Sequence, residues 1–139
     1  MKRNSSNLEI SYELLNQGDE PLDLWFGVEF CFSLSAGDAP DRYYRFQHMP
    51  VTDTRLSSQG EVENVTSVAL VDEWLGIEVG FRLSDPAIVW RFPIETVSLS
   101  EGGFEKVYQG SVLLPHWHLK LEKKWRTHLI LDITALTAS

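Results

Sequence analysis

The chain has 139 residues, 43% of them hydrophobic and 12% aromatic, and its 12 basic against 20 acidic residues leave a formal net charge of -8. Such a composition describes one folded domain with a real core and argues against disorder. An acidic chain without a patch of clustered Lys and Arg is a poor partner for nucleic acid, one cysteine excludes an internal disulfide framework, and no stretch approaches the roughly 20 apolar residues of a membrane span.

In chain order, Leu8, Ile10, Tyr12 and Leu14 alternate with Glu9, Ser11 and Glu13, the period-2 pattern of a half-exposed strand. Residues 16–21 form a turn by composition. Leu24, Phe26, Val28, Phe30, Phe32 and Leu34 then share one side of a second long strand, which is expected to pair antiparallel with the first. Cys31 sits within it and reads as an inert, half-buried thiol. A loop over 35–41 leads to a short strand at Tyr43, Tyr44 and Phe46, then to an irregular polar section through Gly60. Val62, Val65, Val68 and Leu70 give one or two strands. Leu75, Ile77, Val79, Phe81 and Leu83 give another, predicted to end at an Asp85-Pro86 turn.

The stretch from Trp90 to Leu119 reads as two long strands joined by a polar corner. Before the corner, Ile88, Trp90, Phe92 and Ile94 fall on one face and Val89 on the other, as in a central strand. Pro93 belongs at a bulge or strand end because it cannot donate to a ladder. From Thr96 to Gly103 the residues turn polar and the strand stops feeding the core. Beyond Phe104, Val107, Leu113, Trp117, Leu119 and Leu121 fall on one side, and Lys106, Tyr108, His116, His118 and Lys120 on the other. A last strand from Trp125 carries Leu129, Leu131 and Ile133, after a solvated tip at Lys120, Lys123, Lys124 and Arg126. No segment keeps a 3.6-residue apolar period with caps. The fold class is therefore all-β, an antiparallel β-sandwich in one domain over residues 1–139, with the strands of Phe30, Ile77, Trp90, Val107 and Leu131 supplying the core.

The run PIETVSLSEGGFEKVYQ, from Pro93 to Gln109, with the Trp117 region and the N-terminal SYELLN and FGVEFCFSL segments, resembles the C-terminal β-domain of glycoside hydrolase family 57 enzymes. That group includes 4-α-glucanotransferases and α-amylases. Their catalytic carboxylates stand on a separate N-terminal (β/α) barrel, and nothing in this chain resembles it. The resemblance thus implies a C-terminal fragment of a larger cytoplasmic enzyme, a non-catalytic accessory domain that packs on the barrel and could touch an α-glucan or maltooligosaccharide. It also implies a likeness to the galactose mutarotase type of sugar-handling supersandwich.

The resemblance is densest at the corner, so Glu95, Thr96, Ser98, Glu101, Glu105, Tyr108 and Gln109 are its candidates for carbohydrate or interdomain contact. Glycosidases set two carboxylates roughly 5 to 9.5 Å apart, but the family pattern assigns that pair to the barrel, so no catalytic residue is expected here. Trp25 and Trp74 join the candidates because each lies on the polar face of its strand, where a ring can stack on a pyranose. His116 and His118 share a face, yet a metal site needs three or more converging ligands, so neither metal nor cofactor is expected. The alternatives from other classes are a free-standing carbohydrate-binding module and a mutarotase-like epimerase.

Overall fold

The computed structural model describes residues 5–34 and 36–136. Eight strands follow in order: β1 (Ser5–Leu15), β2 (Leu22–Gly27), β3 (Phe30–Phe32), β4 (Arg42–Phe46), β5 (Gly60–Asp72), β6 (Ile77–Ser100), β7 (Gly103–Leu121) and β8 (Lys124–Ala135). All named pairings are antiparallel, and no helix occurs among the described residues. The first two strands do not pair with each other, against the sequence expectation. β1 lies along β8, and β2 and β3, which replace the expected single long strand, lie along β7.

The 24-residue β6 organises the molecule. Its residues 77–83 run between β8 and the second half of β5, residues 88–91 run between β7 and the first half of β5, and from 92 onward it pairs with β7 alone. One strand therefore serves both halves of a single eight-stranded sheet, and the expected Asp85-Pro86 turn is instead the bend inside it. The physical reason is local. Pro86 has no N–H to offer a ladder, and where β6 passes from one half of the sheet to the other none is required. Side chains take over the orphaned groups. The Ser84 hydroxyl accepts the His128 N–H at 2.8 Å, and the Trp117 indole N–H donates to the Asp85 carbonyl at 3.2 Å.

Folding of the sheet brings aromatic rings of its two halves together. Phe81 meets Phe30 and Phe32 at centroid distances of 5.0 and 5.6 Å, and Trp117 meets Trp125 at 5.4 Å. Around them Tyr44, Leu56, Val65, Leu70, Val89, Leu113 and Leu129 are fully buried. At one end, the buried Asn16 amide donates to the carbonyls of Glu20, Leu121 and Glu122, tying the β1–β2 turn to the β7–β8 hairpin.

Two inward assignments are reversed. Beyond the bend in β6 the buried residues are Ala87, Val89 and Arg91, while Trp90, Phe92 and Ile94 face solvent in part. The Arg91 guanidinium can enter because it donates to Ser58 Oγ and to the Asp53 carbonyl, both at 3.0 Å, and lies over the Phe46 ring. Along β7 the pairing steps from Ile94↔Gly110 to Glu95↔Tyr108, leaving Gln109 as a bulge. One extra residue inverts the alternation. Tyr108 then packs on the core and Val107 is exposed.

Candidate functional site

Beyond the bulge, β6 and β7 continue as a two-stranded arm to a turn at Glu101 and Gly102, with Gly103 at φ +117. Valine, leucine and phenylalanine on a pleated ribbon need a surface to cover them. On this arm Val97 pairs with Lys106 and Leu99 with Phe104, so Val97, Leu99 and Phe104 share one face. Leu99 and Phe104 are 77% and 80% exposed. The sequence candidates Glu95, Thr96, Ser98, Glu101, Glu105 and Gln109 also lie exposed on the arm. Thr96 and Gln109 join through a 3.2 Å hydrogen bond. Tyr108 differs, because its half-buried ring reaches Ser111 Oγ at 2.5 Å from the phenol oxygen and burial raises its pKa. It serves as the arm's root. Alternation alone did not disclose the apolar face, because the residues that form it are interleaved with the polar ones that mark a corner.

The two tryptophan candidates separate. Trp74 is 72% exposed in the turn after β5, with the Arg42 guanidinium 5.4 Å from its ring centroid. Trp25 stands on the outward face of β2, stacked on His118 with centroids 4.5 Å apart and planes inclined by 10°. His118 in turn lies 2.5 Å from Asp23 Oδ1. Across a groove of about 510 Å³ stands Trp90, which no sequence argument placed there. Its indole N–H donates to Glu61 Oε2 at 2.8 Å. The ring of His116, 6% exposed, lies beneath both indoles, with centroids 5.7 Å from Trp25 and 4.4 Å from Trp90. Cys31 is exposed, against the half-buried expectation.

What the fold and these surfaces define is an all-β sandwich module whose distinctive chemistry faces outward, on an apolar arm and an aromatic groove. The chain belongs to the family described as "Alpha-amylase/4-alpha-glucanotransferase, C-terminal", whose model matches residues 1–131. It is 38% identical over 129 residues to α-amylase 1 of Dictyoglomus thermophilum, covering 90% of this chain and 18% of that protein. Among solved structures it superposes on the 4-α-glucanotransferase from Thermococcus litoralis with a TM-score of 0.61 and 22% identity, over 92% of this chain and 16% of that one. The Slr1438 protein of Synechocystis gives a TM-score of 0.57 at 13% identity, over 93% of this chain and 51% of its own. The chain thus spans less than a fifth of the amylase and of the glucanotransferase it matches.

Proposed function

We propose that this chain is the non-catalytic C-terminal sandwich of a cytoplasmic, glycoside hydrolase family 57 type enzyme acting on α-glucans, and that the β6–β7 arm packs it on the catalytic domain. The observation that carries the reading is the arm's apolar face. Leu99 and Phe104 are largely exposed to water at the end of a ribbon that meets the core only at its root, Tyr108. Anchors of this kind, surrounded by a polar rim, carry most of the energy of an interface. Here the polar residues beside them are Glu95 and Lys106 on the same face and Glu101 at the turn. Family membership supports the partner, since the relatives are chains several times longer that include this region as a minor part.

The test is a chimera in which these residues replace the matching 129 of the Dictyoglomus α-amylase 1. It should process maltoheptaose, whereas the present chain alone should not. Leu99→Glu with Phe104→Glu should cut the chimera's turnover by more than about tenfold, or 1.4 kcal/mol, and leave the melting temperature of the isolated chain unchanged. Full activity of the doubly substituted chimera would remove the arm from the interface.

A further inference from the structure

The groove between Trp25 and Trp90 is separate from the arm and has its own chemistry. Its floor is kept open by Gly27, where a Cβ would come within 3.1 Å of a Leu114 methyl and 3.2 Å of His116 Cβ. The walls are two indoles, each oriented by a partner: Trp25 by the stacked His118, Trp90 by its bond to Glu61. The His116 Nδ1 atom is 3.0 Å from the Leu114 carbonyl, which can only accept, so Nδ1 carries the proton and Nε2 is left as an acceptor in the neutral ring. Glu61 and Glu63 line the rim. The side-chain groups offered to a ligand beside the indole N–H are thus acceptors, set around aromatic faces, with no Lys or Arg lining the groove. An anion is disfavoured by the two carboxylates, and a purely apolar ligand would cover Glu63 and the second Glu61 oxygen without offering them a donor. A neutral molecule that is rich in hydroxyl donors and has apolar C–H faces satisfies every wall.

We infer that this groove is a subsite for an α-glucan chain, with Trp25 and Trp90 stacking on successive sugar faces and Glu61, Glu63 and His116 accepting hydroxyl hydrogens. The choice of an α-linked glucan rests on the enzyme class proposed above, while the neutral sugar chemistry rests on the groove. Titration calorimetry of the protein with maltoheptaose should give saturable binding with a Kd of about 1 mM or tighter. Trp90→Ala and Trp25→Ala should each weaken it at least about tenfold, and Trp74→Ala should leave it unchanged. Gly27→Val, which keeps both rings but fills the floor, should also abolish it, with circular dichroism verifying that each variant is folded. Binding unaffected by Trp25→Ala and Trp90→Ala overturns the inference. So does binding of choline in place of maltoheptaose, which would make the groove a cation cage. Saturable binding of cellohexaose but not maltoheptaose keeps the sugar groove and contradicts the α-glucan class. No binding with an active chimera contradicts the groove alone.

Discussion

Tyr44 is buried among core side chains, and its hydroxyl has no hydrogen-bond partner among the described residues. Burial disfavours the phenolate, so its pKa is pushed from 10.0 up to about 12. A folded-state pKa above the unfolded one means stability that is complete below pH 10 and lost as pH rises through about 12. Tyr44→Phe should therefore change stability at pH 7 by no more than about 1 kcal/mol and shift the midpoint of alkaline unfolding to higher pH. An unchanged midpoint in a pH titration followed by circular dichroism would show that another group drives it. Glu101 is the opposite case, an exposed carboxylate at the arm tip with no side-chain hydrogen bond among the described residues. Having no local structural work, it should tolerate Glu101→Gln with no change in melting temperature. If it faces the catalytic domain, as proposed, the same change in the chimera should lower turnover by more than about tenfold, equal to roughly 1.4 kcal/mol. A lower melting temperature with unaltered turnover would assign Glu101 to the turn instead.

At the scale of strands, period-2 patterning located nearly every element and failed at their faces in two instructive places. β6 is apolar on both sides near Val89 and Trp90, so alternation could not choose, and ordinary hydropathy would put Trp90 inside and Arg91 outside. The structure does the reverse because Ser58, the Asp53 carbonyl and the Phe46 ring together accommodate the guanidinium. Those partners come from distant segments and leave no local mark in the sequence. β7 was misread beyond the bulge for a related reason, since a single unpaired Gln109 is invisible to a count of alternating residues. Deleting Gln109 should make Ile94↔Gly110 and Glu95↔Tyr108 consecutive pairs, keeping Tyr108 inward but removing the extra twist that the bulge gives the arm. We expect a loss of several degrees in melting temperature as the straightened ladder shifts the arm's root, with Tyr108 still on the face of Ser111. A deletion variant that melts like the parent would mean the bulge is incidental to packing.

For the whole molecule, the all-β antiparallel sandwich and the family were both legible, the first from spacing of strands and the second from the run between Pro93 and Gln109. Pairing partners were not. β1 joins β8 across the full chain length, a long-range choice that sequence adjacency argues against. The groove was half visible: Trp25 was singled out by its polar face, but Trp90, Glu61 and His116 meet it only after β6 has passed from one half of the sheet to the other. The arm likewise gains its meaning from three dimensions, because Val97, Leu99 and Phe104 come to one face only through the register of the hairpin. Amide hydrogen exchange, compared between this chain alone and the active chimera, reads that face directly. Exchange across residues 96–106 should slow strongly on joining the catalytic domain, while the outer strand β1 keeps its free rates. An active chimera whose arm exchanges as fast as in the isolated chain would contradict docking through the arm.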